Sequence, residues 1–413
     1  MKKHGSLNHI YRLVWSQVLK TWVAVAENTK GRGKTKNSRS KLVAAALAIT
    51  AFGSVLPPAM AGPVASGVVL PTGALVSAGS VNVSQSGNTL TVTENTQRAA
   101  VNWQSFSISN NGTVNFVQPN SAAVILNRVV GTEASLIAGA LNANGQVFLL
   151  NSNGLLFTKN ASVNTGGLVA STLNISDSDF MSGKSTFTGN GSRASVINQG
   201  SLTSDNGYVA LLGNQVINQG VVTARLGTAI LAAGDQISLN FNGSSLVNVV
   251  INKGTLDALV SNQQAIYADG GLVVLTAKAA DTILASAVNN TGEIRAQTIA
   301  NQSGRIYLLG DMQNGTVNVG GTLDASAPGA GNGGSIETSA AHVKIADGSV
   351  VNTAATLGLN GSWLIDPVDF TVAASGGDIT GLALNGMLAT TSVTIQTSTG
   401  TNSASNLYAN GST

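Results

Sequence analysis

The pentapeptide Val196-Ile197-Asn198-Gln199-Gly200 returns unchanged as Val216-Ile217-Asn218-Gln219-Gly220, 20 residues later, and no other feature restricts the fold of this chain so sharply. Related turns stand at Asn252-Lys253-Gly254 and Asn290-Thr291-Gly292, leading into the apolar positions Leu256 and Ile294. Interleaved with them are Gly-led apolar runs at residues 207–213, 271–275 and 304–310. A period near 20 residues, built of short strands with no helical segment between, marks a solenoid in which each repeat is one coil. One coil buries too few aliphatic side chains to offset the entropy of fixing its backbone, so coils must stack and share hydrogen bonds and buried faces. The reading is therefore all-β: a right-handed parallel β-helix with an N-terminal β cap and small antiparallel excursions.

Composition agrees with that reading. Hydrophobic residues make up 43% of the 413 residues but aromatics only 4%, so the interior must be built from Val, Leu, Ile and Ala, with 48 Gly supplying turns. The mixture is too apolar for disorder. An open first edge would recruit other chains, so a cap is needed. Residues 80–84 and 89–93 alternate like strands around Gln85-Ser86-Gly87-Asn88, a hairpin suited to that role. Trp103, Phe106 and Phe116 are read as core fillers near the cap. Residues 174–193, which include Asp177, Asp179, Phe180 and Met181, break the pattern and are placed as an excursion, either a loop or short antiparallel strands. The Gly-rich stretch 329–334 is a turn between coils; no Lys-Ser or Lys-Thr follows it, which excludes a phosphate loop.

Charge divides the chain in two. Of 21 basic residues 10 lie between Lys2 and Lys41, against the single acid Glu27, whereas from Gly62 onward 11 basic residues face 17 acidic ones, a net charge of −6. No nucleic-acid partner is expected for the second part. The basic stretch ends where an uncharged, mostly apolar run of 15 residues begins at Leu42, and Ala59-Met60-Ala61 follows two prolines as a small-x-small cleavage site. Residues 1–61 thus read as an export signal, divided into 1–27, a basic stretch 28–41 and a hydrophobic and cleavage region 42–61, with Gly62 first after processing by signal peptidase. The run is short for a membrane span, which needs about 20 residues, so a permanent anchor is disfavoured. Ile10, Leu13, Val14, Val18, Trp22 and Val25 recur at three- or four-residue steps and predict an amphipathic helix. Absence of Cys suits a chain that must stay linear while crossing a second membrane.

Two resemblances follow from particular residues. Asn8-His9-Ile10-Tyr11-Arg12-Leu13-Val14-Trp15 and Trp22-Val23-Ala24-Val25-Ala26-Glu27 resemble the extended signal peptide region of very large Gram-negative exported proteins of the two-partner secretion and autotransporter types. Val101-Asn102-Trp103-Gln104-Ser105-Phe106, Val114-Asn115-Phe116-Val117-Gln118-Pro119-Asn120, Leu126-Asn127-Arg128-Val129-Val130-Gly131 and the stretch 141–157 resemble the haemagglutination-activity, or two-partner secretion, domain of the filamentous haemagglutinin family. In that stretch Ser152 replaces the Pro and Leu155 the Ile of the family's Asn-Pro-Asn-Gly-Ile turn, which keeps the turn and the inward apolar residue. Gly361-Ser362-Trp363-Leu364-Ile365-Asp366-Pro367-Val368-Asp369-Phe370-Thr371 resembles a segment that follows the domain in many family members. The resemblance implies a secretion domain over 62–310, the start of a β-helical passenger over 311–413, and recognition by a cognate outer-membrane β-barrel transporter with periplasmic polypeptide-transport domains. It also implies general export machinery as a partner, a surface or secreted location reached through the periplasm, and a chain that stops at Gly411-Ser412-Thr413 short of a longer passenger. A host or neighbouring-cell ligand goes unidentified.

Asn142, Asn144, Gly145, Asn151, Asn153 and Gly154 are the candidate site. They are either a patch for the transporter or turn residues that satisfy backbone groups within the coils. Catalysis is poorly provisioned: after processing His342 is the sole His and there is no Cys, so Ser-His or Cys-His chemistry, metal sites and cofactor sites have almost nothing to draw on. The pairs Asp177/Asp179 and Asp366/Asp369 are the remaining catalytic option. The leading reading is a non-enzymatic, filamentous-haemagglutinin-like adhesin. Its rivals are the stem of a haem-acquisition or contact-dependent toxin-delivery exoprotein, a β-helical polysaccharide-acting enzyme, and an autotransporter, for which residues 311–413 offer no barrel strands with aromatic girdles.

Overall fold

The computed structural model describes residues 67–281 and 285–398, together with the backbone of two strands near the N-terminus. The chain divides into two compact units, Met1–Val64 and Ala65–Thr413. In the first, Tyr11–Ser16 and Thr21–Ala26 pair antiparallel, with Trp15 opposite Trp22. This corrects the amphipathic helix expected there. Its apolar residues satisfy a two-residue period as well, and Val, Trp and Tyr favour extended backbone that a hairpin partner can saturate. The apolar run after Lys41 and the cleavage residues Ala59, Ala61 and Gly62 lie outside the described residues.

The second unit is a parallel β-helix with three faces, as the 20-residue period required. The first face is an 11-stranded sheet, the second a 12-stranded sheet and the third an 8-stranded sheet. A representative coil contributes Ser201–Thr203 to the first, Tyr208–Gly213 to the second and Gln215–Asn218 to the third; the next coil repeats this with Val221–Thr223 and Thr228–Ala233. Pairing between them is parallel and in exact register, Val209 on Ala229 and Leu211 on Leu231. Inward positions such as Val209, Ala229, Val273 and Ile306 are fully buried and form aliphatic columns along the axis.

Where one coil turns into the next, glycine is obligatory. A Cβ on Gly227 would lie 2.0 Å from the Gly207 carbonyl oxygen, and one on Gly271 would lie 2.0 Å from that of Gly227. Only hydrogen side chains let successive backbones approach this closely.

The cap is double. Val81–Ser86 and Thr89–Glu94 form the expected antiparallel hairpin, and Thr89–Glu94 then accepts Thr113–Val117 in parallel as the first rung. A second strand, Leu75–Ala78, runs antiparallel to Arg98–Trp103 and covers the start of the second face, which the sequence reading missed. Trp103, Phe106 and Phe116 are buried just inside, Trp103 and Phe106 edge to face with centroids 5.4 Å apart.

A second core lies outside the helix. Residues 174–193 supply a one-turn helix, Asp177–Met181, and the strand Thr186–Thr188, which pairs antiparallel with Gln236–Asn242; that strand in turn pairs with Ser245–Lys253. This small sheet presses Phe180, Phe187, Ile237, Leu246 and Ile251 onto the outer surface of the second face. Strands such as Tyr208–Gly213 and Thr228–Ala233 are consequently buried on both sides, which explains why their sequences are apolar throughout instead of alternating. The hairpin also overturns one assignment. Asn252-Lys253-Gly254 is not a coil turn: Asn252 and Lys253 end the antiparallel strand, Leu256 is 47% exposed, and the residue stacked on Asn218 is Asn262.

Near the other end, Trp363 on the rung Ser362–Asp366 is buried, and the helix Gly381–Leu388, capped by Thr380, brings Met387 against the core.

Candidate transporter-recognition site

Four buried asparagines form the spine of the third face. The side-chain amide nitrogen of Asn198 donates to Asn218 Oδ1, that of Asn218 to Asn262 Oδ1 and that of Asn262 to Asn290 Oδ1, each at 2.8 Å. All four are fully inaccessible. Asn290 ends the series by donating to the Gly292 carbonyl, 3.1 Å away. Outside the wall, Gln199, Gln219 and Gln263 repeat the pattern in solvent at 3.0 and 3.1 Å. Phe157 precedes Asn198 in the column and Val319 follows Asn290, so the ladder begins and ends against apolar rungs.

The six candidate residues bracket one strand of the second face, Gln146–Leu150. Asn142 is exposed on the first face and donates to Asn115 Oδ1 at 3.0 Å. Asn144 imitates a strand partner for Gln118: its Oδ1 accepts the Gln118 N–H and its Nδ2 donates to the Gln118 carbonyl, both at 2.8 Å. Gly145 makes room for that loop, since a Cβ there would meet Gln118 Oε1 at 2.7 Å and the Ala123 carbonyl oxygen at 2.8 Å. At the far end of the strand, buried Asn151 donates to the Glu133 carbonyl at 2.9 Å and to Ser135 Oγ at 3.0 Å, while its Oδ1 accepts the Asn153 N–H at 2.9 Å. Asn153 reaches the Gly131 carbonyl at 2.9 Å, and Gly154 holds a φ of +116°. Each of the four asparagines thus ties its own segment to the preceding coil, and the side chains of Asn142, Asn144 and Asn153 also reach solvent.

Gln118 belongs to a polar cluster that the sequence reading did not single out. Its side-chain nitrogen lies 2.8 Å from Glu94 Oε2, and Tyr208 donates to Gln146 Oε1 at 2.6 Å. Burial pushes the Glu94 carboxyl up to about 7, against the smaller opposing effects of the Gln118 hydrogen bond and the Arg98 charge. Burial likewise raises the Tyr208 hydroxyl. Only the Val-Gln-Pro-Asn turn hinted at this cluster, because Glu94 and Gln146 reach it from other coils.

The acids named as catalytic candidates stand in different settings. Asp177 pairs with Arg128 at 2.7 Å and Asp179 with Lys184 at 2.9 Å, on the one-turn helix. For Asp177, burial raises the pKa, but hydrogen bonds from Ser77 and Arg128 and the Arg128 charge leave it below the usual carboxylate range. Asp366 is buried at the end of its rung, Asp369 is exposed, and His342 occupies an exposed strand position. Among the described residues, no group of three or more His, Cys, Asp or Glu is arranged to hold a metal ion.

Comparison with known proteins adds the family. Residues 67–325, beginning at the cap and including the bracketed strand and the whole ladder, match the TPS secretion domain. The chain belongs to that family. Upstream, residues 8–56 match the extended signal peptide of the type V secretion system. The chain is 32% identical over 251 residues to a heme/hemopexin-binding protein of Haemophilus influenzae, covering 59% of this chain and 27% of that protein. A second heme/hemopexin-binding protein from Haemophilus influenzae is 28% identical over 245 residues, 54% of this chain and 26% of the relative. The chain spans about a quarter of the length of both. Among solved structures, the HMW1 secretion domain from Haemophilus influenzae superposes with a TM-score of 0.64 at 26% identity, covering 80% of this chain and 82% of that one. A secretion domain behind an extended signal peptide marks an exoprotein that passes through the periplasm to the secreted or cell-surface location. TPS secretion domains are not an enzyme family.

Proposed function

We propose that the chain is the N-terminal export module and first coils of a filamentous-haemagglutinin-like adhesin, carried across the outer membrane unfolded by a cognate β-barrel transporter with periplasmic polypeptide-transport domains. The observation that carries this reading is the register of the stack. Every coil after the cap docks onto a finished edge, so each coil that folds outside has a template and opposes backsliding without ATP. Residues 62–310 act as the recognised module and residues 311–413 as the start of the passenger. The turns at Asn142-Ala143-Asn144-Gly145 and Asn151-Ser152-Asn153-Gly154 serve both as corner ties and as transporter contacts. The protein is non-enzymatic on this reading.

The test is export. Asn151→Ala and Asn153→Ala, expressed with the cognate transporter, should lower the amount of protein outside the cell while leaving the periplasmic pool intact; unchanged secretion would remove the recognition role. A second reading, the stem of a haem-acquisition exoprotein, is favoured by the relatives named for heme and hemopexin binding. Titrating the secreted chain with haem and with hemopexin separates the two readings: saturable binding selects the second, and none selects the first.

A further inference from the structure

Asparagine followed by glycine is a reactive step, because the glycine nitrogen, unshielded by a Cβ, can attack the side-chain carbonyl carbon of the asparagine. Two conditions must hold: the asparagine amide must be free to swing, and the glycine N–H must not be committed to another acceptor. Among the described residues the sequence places ten such steps, most of them at the corners of the coils. Most are locked. Gly112, Gly154, Gly207, Gly315, Gly333 and Gly361 each donate their N–H to a backbone carbonyl at 2.8–3.4 Å, and Gly386 lies inside the helix Gly381–Leu388. At two more steps the asparagine is tied: Asn144 by both ends of its amide to the Gln118 backbone at 2.8 Å, and Asn190 through Oδ1, which accepts the Ser192 N–H at 3.1 Å.

Asn242-Gly243 is the remaining step, and it meets both conditions. Asn242 ends one strand of the excursion hairpin and Ser245, its cross-strand partner, begins the next, so Gly243 and Ser244 form the two-residue tip. All four are exposed, and neither the Asn242 amide nor the Gly243 N–H has a hydrogen-bond partner among the described residues. Gly243 holds a φ of +62°, and a Cβ built on it would meet nothing within 4 Å, so the peptide plane at the tip turns without collision. At a coil corner the same rotation is blocked: a Cβ on Gly361 would sit 1.9 Å from the Gly334 carbonyl oxygen. We propose that Asn242 is a site of spontaneous covalent modification, cyclising with Gly243 and losing ammonia. The Gly243 nitrogen bonds to Asn242 Cγ as the Cγ–Nδ2 bond breaks, and the displaced N–H proton leaves with the amide group as ammonia. Water then opens the resulting succinimide: cleavage at Cγ gives aspartate, and cleavage of the original peptide linkage gives isoaspartate, with one extra carbon in the backbone. Either product carries a new carboxylate at the hairpin tip. The reaction needs only water, so the modified fraction grows with the age of the folded chain.

The sequence supplies its own controls, since Asn190-Gly191-Ser192 and Asn360-Gly361-Ser362 are the same tripeptide as Asn242-Gly243-Ser244. The experiment incubates the exported chain, purified from culture medium, at neutral and at more alkaline pH, with a parallel sample unfolded in urea. Digestion at acidic pH and mass spectrometry then give the rate of ammonia loss and of aspartate and isoaspartate formation at each step. In the folded chain Asn242 should react at least tenfold faster than Asn190, Asn360 or any other described Asn-Gly step. Its rate should rise with pH, because the attacking species is the deprotonated peptide nitrogen. In urea the gap between the three identical tripeptides should close. Comparable rates at Asn242 and Asn190 in the folded chain, an unmodified Asn242 where the urea sample reacts, or a tenfold gap that survives unfolding would each overturn the assignment.

Discussion

Replacing Asn218 by Leu tests whether the buried amide ladder sets the register of the coils. Asn218 is fully inaccessible and accepts from Asn198 at 2.8 Å while donating to Asn262 at 2.8 Å and to the Ala265 carbonyl at 3.1 Å. Leucine removes all three bonds and leaves the Asn198 amide nitrogen and Asn262 Oδ1 facing an alkyl group. Each stranded group costs about 1–3 kcal/mol, while burying the leucine returns about 1.5–3 kcal/mol, so the net loss is about 1–3 kcal/mol. Replacing Asn198, Asn218, Asn262 and Asn290 all by Leu strands far fewer partners, because donor and acceptor leave together. The quadruple variant should therefore cost much less than four times the single one. The assay is equilibrium unfolding in urea, followed by the fluorescence of Trp103 and Trp363, with midpoints compared at unchanged slope. A single-variant loss under about 0.5 kcal/mol, or strict additivity across the four positions, would refute the reasoning.

Three further outcomes are expected. Glu94 titrates at about 7 in the folded protein against an ordinary 4.5, so between those values the native state holds more protons than the unfolded one. Stability is then complete below pH 4.5 and declines as pH rises through 7, by at most about 3 kcal/mol; Glu94→Gln should flatten that dependence in urea titrations at several pH values. Gly227→Ala should destabilise by more than about 3 kcal/mol, because its Cβ meets the Gly207 carbonyl at 2.0 Å, whereas Gly386→Ala, with open space and helical backbone, should stabilise by roughly 0.5–1 kcal/mol in thermal melts. Asn151→Ala should lose about 2–4 kcal/mol by stranding the Glu133 carbonyl and Ser135, and the exposed Asn142→Ala less than about 1 kcal/mol, both read from urea midpoints.

A stacked coil turns tertiary contact into local repetition, and that is why so much of this protein is written along its length. Asn198 touches Asn218 because both occupy the same place in successive 20-residue coils, so the parallel β-helix, its aliphatic columns and its capping hairpin could be read directly. The roles of Asn144 and Asn151 were half legible: their turn chemistry was plain, but the loops they clamp, at Gln118 and Glu133, belong to the preceding coil. What local pattern could not decide is which of several similar turns would be stacked. Asn252-Lys253-Gly254 has the motif, yet Asn262 takes the rung, because residues 236–253 gain more by folding back as a hairpin over the apolar outer surface of the second face. The same covering decides which strands of that face are buried on both sides. Repetition specifies the coil; only the packing of one segment over another, which depends on surfaces contributed from distant coils, selects the register across an insertion and the surface it covers.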